Sequence, residues 1–127
     1  MIGKYDSYRA LHRNEQAGLD YQITGRDGST GIAVMAIHGG KIEYGTSEIA
    51  EAIAGRDHAF YSFKGLKTSN NADLHMTSHI FDEPEGIRMA TQAETVITIH
   101  GCRDSREILY LGGRNGPLKT ALTEAFG

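Results

Sequence analysis

The sequence predicts an α/β fold in which a mostly parallel or mixed β-sheet is flanked by helices. Residues 32–37 form a continuous apolar run and residues 95–99 are largely β-branched, which is typical of strands inside such a sheet. Segments with helical character separate the strand-like segments, so strands and helices alternate along the chain. The 127 residues suffice for one domain, and we predict a single domain over residues 1–127.

Each predicted element is bounded by residues that start or stop helices and strands. The predicted elements are helix 6–13, strand 21–24, strand 32–37, helix 46–54, strand 59–63, a polar loop at 70–73, helix 84–93, strand 95–99, strand 108–111 and helix 118–126. Asp6 or Ser7 is the expected N-cap of the first helix, and Thr46 or Ser47 that of the second. Pro84 is expected at the first position of the third helix.

Composition narrows the possible partners. The net charge is -3, and lysines and arginines are scattered rather than grouped, which argues against nucleic acid as a partner. No apolar run is long enough for a membrane span, and the N-terminal residues lack the apolar stretch of a secretory signal. We therefore expect synthesis in a cytoplasm and no membrane partner. The sequence predicts no particular oligomeric state.

Two predicted strands end in the same dipeptide, His-Gly, at His38 and at His100. Ligand sites in parallel sheets form beyond the carboxyl ends of the strands, so the two imidazoles are expected at one edge. Glu43 lies between them in sequence, in a loop before a helix. Two histidines and one glutamate form a common catalytic zinc set with an open position for water, although a single His-Gly-Gly is more often a simple turn. Cys102, two residues after His100, is an alternative ligand in place of Glu43, since thiolate is a strong donor for zinc.

Three ordered motifs carry a resemblance to a known family. They are residues 34–50 (VMAIHGGKIEYGTSEIA), 70–85 (NNADLHMTSHIFDEPE) and 98–102 (TIHGC). These motifs closely resemble those of the phage poly-γ-glutamate hydrolases and their bacterial relatives, and the similarity extends from about residue 8 to residue 113.

The resemblance implies a zinc enzyme with a zinc-carboxypeptidase-like core that hydrolyses the γ-linked amide bonds of poly-γ-glutamate, the capsule polymer of some bacilli. It also implies that His38, Glu43 and His100 hold Zn²⁺. A phage enzyme of this kind would be released extracellularly by host lysis. An N-acyl amino acid amidohydrolase is the related alternative.

The same resemblance leaves the general base in question. Members of the family continue beyond the position of residue 113 with a segment that contains a glutamate base, whereas this chain has one helix and ends at residue 127, so we describe it as C-terminally shortened. Glu48, Asp73 or Glu83 is a possible substitute, and a second chain is another. An impaired or non-catalytic zinc-binding protein is therefore the alternative function.

The remaining candidates lie near the proposed ligands. We predict that Glu48 and His75 are catalytic. Lys41 lies close to the first ligand in sequence and supplies positive charge for an anionic polymer. Asn70, Asn71, Asp73 and His75 form a polar cluster suited to binding an anionic glutamyl group or to orienting a metal ligand through a hydrogen bond, although solvated loop residues would have the same pattern. We predict Lys41, Asn70, Asn71 and Asp73 as substrate-binding residues.

Overall fold

A four-stranded mixed sheet forms the centre of the molecule, in a computed structural model that describes residues 3–127. The strands are β1 (Tyr21–Arg26), β2 (Ile32–Gly40), β3 (Ala59–Gly65) and β4 (Thr95–Thr98). Their order is β1-β3-β2-β4, with β1 antiparallel to β3 and β2 parallel to both of its neighbours. The predicted fold class, an α/β fold with a mixed sheet flanked by helices, is confirmed.

The helices lie between and after these strands. They are α1 (Tyr8–Asn14), α2 (Thr46–Ala54), α3 (Pro84–Gln92) and α4 (Gly116–Phe126), with a short 3-10 helix at Asn71–Leu74. Strand β2 is buried along nearly its whole length because it has a strand on each side and apolar side chains against both faces. None of the helices in residues 3–127 has the length and apolar character needed to cross a membrane.

Two apolar clusters cover the two faces of the sheet. The larger includes the fully buried Leu11, Tyr21 and Phe63. The smaller packs α2 against the sheet through Ala50, Ala54 and neighbouring strand residues. Because side chains alternate between the faces of a strand, β2 contributes to both clusters. The part of β2 that leads to His38 is therefore packed on both faces.

The helix starts agree with the sequence in two cases and differ in one. Ser7 caps α1 by accepting a hydrogen bond from the Ala10 N–H, and Pro84 occupies the first turn of α3. The prediction that Thr46 or Ser47 caps α2 was wrong, because the N-cap is Gly45 in a left-handed conformation. Thr46 instead donates its hydroxyl proton to the backbone carbonyl of Glu43, a contact made inside the loop.

The C-terminal part of the chain is much less covered than the rest. Residues 108–111 were predicted as a strand, but they form none, because no neighbouring strand supplies hydrogen-bond partners for them. Helix α4 has no buried residue, and Val96 of the edge strand β4 is 39% exposed.

Candidate metal centre

His38, in the terminal part of β2, is almost completely buried. Its Nε2 lies 2.5 Å from the backbone carbonyl oxygen of Met76. A carbonyl oxygen can only accept, so Nε2 carries the proton and Nδ1 keeps its lone pair. Burial also lowers the pKa of His38, which favours the neutral imidazole that binds metal ions.

The Nδ1 atom of His38 is buried, yet no group in residues 3–127 forms a hydrogen bond with it. It lies 3.5 Å from Oε1 of Glu43, too far for a hydrogen bond. An unsatisfied buried nitrogen costs about 1–3 kcal/mol, so such an atom in a native fold requires an explanation. A metal ion between His38 Nδ1 and Glu43 would satisfy both atoms.

Glu43 is held by the turn that connects β2 to α2. Its backbone N–H donates to the carbonyl of His38 at 2.9 Å, and its carboxylate Oε1 accepts from the Gly101 N–H at 3.1 Å. The carboxylate therefore joins the end of β2 to the segment after β4. Its side chain is 20% exposed, so the site is open to solvent on one side.

Two further histidines border the same carboxylate. His100 follows β4, and its Nδ1 lies 3.5 Å from Oε1 of Glu43. His75 follows the 3-10 helix, and its Nε2 lies 3.7 Å from the other oxygen, Oε2. The His75 ring stacks on the His38 ring at 3.8 Å between centroids, and the His100 ring lies 5.2 Å from that of His38. Three imidazoles and one carboxylate thus surround one small region.

This donor set fits a divalent ion such as zinc. Tetrahedral zinc with bonds of ~2.0–2.1 Å requires donor atoms about 3.3 Å apart. The 3.5 Å separations of His38 Nδ1 and His100 Nδ1 from Glu43 Oε1 are close to that spacing. Nitrogen and carboxylate donors also match the preference of zinc and its divalent neighbours.

The sequence-derived set and the most compact group of donors share two members. His38, Glu43 and His75 have donor atoms that all lie within 4.8 Å of one another. His100, predicted from its strand-end position, approaches the same carboxylate from the end of β4, the parallel neighbour of β2. Cys102, the alternative ligand, is exposed and is not in the compact group.

Other predicted site residues differ in their surroundings. Glu48 and Lys41 are exposed, and neither side chain has a hydrogen bond or ion pair with any residue in 3–127. Asn70 is exposed and has a left-handed backbone with φ of 65°. Asn71 and Asp73 are engaged with neighbouring protein groups, as described below. Of these five residues, none is among the donor atoms of the compact group.

Two contributors to the site have no side-chain signal in the sequence. The carbonyl of Met76 orients His38, and the N–H of Gly101 holds Glu43. Every residue except proline has both backbone groups, so only the fold reveals which ones are used. Glu83, a candidate base from the sequence, is buried and accepts hydrogen bonds from the Tyr61 hydroxyl and from the first turn of α3.

The fold and the site together define an α/β protein with a histidine- and carboxylate-lined candidate metal centre at the ends of parallel strands. The chain belongs to the poly-γ-glutamate hydrolase family, whose model matches residues 5–127. The resemblance found in the sequence motifs is thereby confirmed.

Several relatives share this similarity. The UPF0714 protein YndL of Bacillus subtilis (strain 168) is 38% identical over 109 residues, which cover 86% of this chain and 42% of YndL. The SPbeta prophage-derived UPF0714 protein YoqZ of the same strain is 36% identical over 110 residues, covering 87% of this chain and 39% of YoqZ. The chain thus spans less than half the length of these relatives.

Two solved structures have the same fold over most of this chain. A bacteriophage poly-γ-glutamate hydrolase matches with a TM-score of 0.79 and 30% identity, over 84% of this chain and 52% of that one. A structure described as YNDL-apo (zinc-free) matches with a TM-score of 0.77 and 38% identity, over 82% of this chain and 50% of that one.

Proposed function

We propose that this protein is a zinc-dependent hydrolase that cleaves γ-glutamyl amide bonds in poly-γ-glutamate. The observation that carries the proposal is the buried, unpartnered Nδ1 of His38, which faces a carboxylate next to two other imidazoles. Membership of the poly-γ-glutamate hydrolase family supports the reaction class. The description of the related YndL structure as zinc-free supports zinc as the metal.

His38, Glu43 and His100 are the proposed ligands. The Nδ1 atoms of both histidines lie 3.5 Å from the same carboxylate oxygen, Oε1, so these three donors converge on one region. His75 approaches the other oxygen, Oε2, and its side chain is about as exposed as that of His100, at 40% against 36%. Because the donor atom of His75 does not share Oε1 with His38 and His100, we propose that His75 serves as the base beside the metal rather than as a ligand.

Bound zinc would polarise the scissile carbonyl and acidify a water molecule. Within the protein, the Met76 carbonyl keeps the His38 proton on Nε2, so Nδ1 remains a donor. The Gly101 N–H holds the Glu43 carboxylate in place. His75 offers a ring nitrogen at the open side, where it would take the proton of the attacking water and later return it to the leaving amine.

The substrate is a polyanion, and the proposed contacts to it lie around the opening. Lys41 is exposed two residues before Glu43, and no other residue in 3–127 pairs with its ammonium group. We propose that Lys41 attracts the free carboxylates of the polymer and that Asn70 donates to them from the adjacent loop.

The test is the chain length of poly-γ-glutamate after incubation with the purified protein, with zinc and with a chelator. We expect shortening that is lost with the chelator and restored by zinc. His38→Gln should abolish shortening and zinc occupancy together. His79→Gln, at an exposed position outside the site, is the matched control and should behave like the wild type. Shortening that persists in the chelator would contradict the proposal.

A specific observation favours a second function, metal binding without hydrolysis. Of the three carboxylates considered as bases, Glu83 is buried in other hydrogen bonds and Asp73 pairs with two lysines. Glu48 is exposed on α2 without a partner in residues 3–127. If His75 does not act as the base, zinc would bind with high occupancy while the polymer keeps its length, which equilibrium dialysis beside the same assay would reveal.

A further inference from the structure

We infer that Asn71 and Asp73, together with Lys67, brace the segment that orients His38, and that they are positioning residues rather than substrate ligands. We call Lys67, Asn71 and Asp73 the brace. The inference rests on the proposed metal centre for its functional consequence, but the brace itself is a feature of the protein without metal. It connects the sheet, α1 and the 3-10 helix.

The side chain of Asn71 closes the turn after β3. Its Oδ1 accepts from the backbone N–H of Lys67 at 3.0 Å, and its Nδ2 donates to the carbonyl of Lys67 at 2.9 Å. The two ends of the amide thus pair with one residue, as a neighbouring strand would. This pairing fixes where the 3-10 helix begins relative to β3.

Ion pairs hold the other side of the brace. The Lys67 ammonium lies 2.6 Å from Oε1 of Glu15, which is buried at the C-cap of α1, and 3.7 Å from Oδ2 of Asp73. Lys4 reaches the same Asp73 oxygen at 3.4 Å, and the Tyr5 hydroxyl donates to Glu15. Lys67–Glu15 is largely buried, whereas Lys4–Asp73 is exposed, and neither kind of ion pair contributes much net stability. A role in setting geometry therefore accounts better for this network.

The brace lies only a few residues before Met76 in the chain, and the Met76 carbonyl binds the His38 ring. The 3-10 helix ends where the His75 N–H donates to the Ala72 carbonyl at 3.1 Å. Met76 follows directly, is buried, and accepts the His38 proton through its carbonyl at 2.5 Å. A shift of Asp73 or Asn71 therefore moves the acceptor that decides which His38 nitrogen is protonated.

The contacts of Asn71 and Asp73 also argue against the substrate-binding role that the sequence suggested for them. Both polar ends of the Asn71 amide are used within the protein, and Asp73 is paired with two ammonium groups. A free negative charge on Asp73 would in any case repel a polyanion. Their loss should therefore weaken metal binding and leave contact with the substrate unchanged.

The test uses Asn71→Ala and Asp73→Asn in the full chain. Zinc affinity is measured by competition with a chromophoric chelator, and nitrogen-15 NMR of the metal-free protein reports the His38 tautomer. We expect zinc affinity to fall by up to about 100-fold, the upper range for loss of a group that hydrogen-bonds a metal ligand, because both variants loosen the segment that carries the Met76 carbonyl. We also expect His38 to change from the Nε2-protonated form to a mixture. Asp6→Asn, at an exposed position, is the matched control and should change neither.

The outcomes separate this inference from the proposed function. If both variants fold and neither the zinc affinity nor the His38 tautomer changes, the inference that the brace orients His38 is overturned. If Asn71→Ala does not fold, the same two measurements on the milder Asp73→Asn variant test the inference. If the wild type binds no zinc, the proposed function fails, and the tautomer measurement still tests the brace without metal. A raised KM for the polymer at unchanged zinc affinity would restore substrate binding as the role of these residues.

Discussion

Gly39 and Gly101 each follow a site histidine, but only Gly39 lacks room for a side chain. A Cβ atom at Gly39 would lie 1.9 Å from Oγ of Ser47 and 3.0 Å from the carbonyl oxygen of Phe63. A Cβ atom at Gly101 would lie 3.4 Å from Cβ of Glu43, which is ordinary contact. We therefore expect Gly39→Ala to destabilise the protein and Gly101→Ala to be nearly neutral.

The magnitude follows from the surroundings of Ser47. Its hydroxyl and that of Ser62 form a hydrogen bond of 2.6 Å, and both residues are buried, so Ser47 cannot move away freely. Overpacking of this kind costs about 1–3 kcal/mol, and loss of the hydrogen bond adds about 1 kcal/mol. Replacing glycine by alanine in a strand by itself raises the free energy of unfolding by about 0.5–1 kcal/mol, which offsets part of this loss. The free energy of unfolding should fall by about 2 kcal/mol.

Urea unfolding followed by circular dichroism measures this difference. With a denaturant slope of about 1–3 kcal/mol per M, the midpoint of Gly39→Ala should decrease by about 1 M. Adding Ser47→Ala to Gly39→Ala removes the oxygen that clashes, so the double variant should lose less than the sum of the single variants. Equal effects of Gly39→Ala and Gly101→Ala would refute the steric reasoning.

Two further predictions concern stability. Burial raises the pKa of Tyr5 to about 12 and also raises the pKa of Tyr21 and Tyr61. An unfolded tyrosine ionises near pH 10 while the native one stays neutral, so the free energy of unfolding should decrease as pH rises above about 10. Urea unfolding measured at a series of pH values checks this. A free energy of unfolding that stays constant up to pH 12 would contradict it. The second prediction uses the edge strand β4, where the N–H groups of Thr95 and Ile99 donate to the carbonyls of Gly31 and Met35. Because N–H groups alternate in direction along a strand, we expect that of Thr98 to point away from β2. Thr98→Pro should therefore lower the thermal midpoint much less than Ile97→Pro, which removes a ladder bond; equal losses would show that the strand pairs differently.

Local sequence patterns were sufficient to predict the helices and strands whose position does not depend on contacts with other segments. The apolar run of β2 and Pro84 at the start of α3 are local signals, and both elements form where predicted. Residues 108–111 were predicted as a strand from composition, but a strand exists only where another strand supplies hydrogen bonds. The start of α2 also depended on context, because Thr46 bonds back to the loop and Gly45 becomes the cap.

For the candidate site, the two strand-like segments that end in His-Gly were enough to predict that His38 and His100 lie near each other, because parallel neighbouring strands end at the same edge of a sheet. Only the folded chain shows that His75 stacks on His38, that the Met76 carbonyl sets the His38 tautomer, and that Asn71 and Asp73 are paired within the protein. The contact of His38 with Met76 joins residues 38 positions apart, and it uses a backbone group that leaves no periodic pattern in the chain. The strand ends were therefore predictable, whereas the groups that orient the histidine were not.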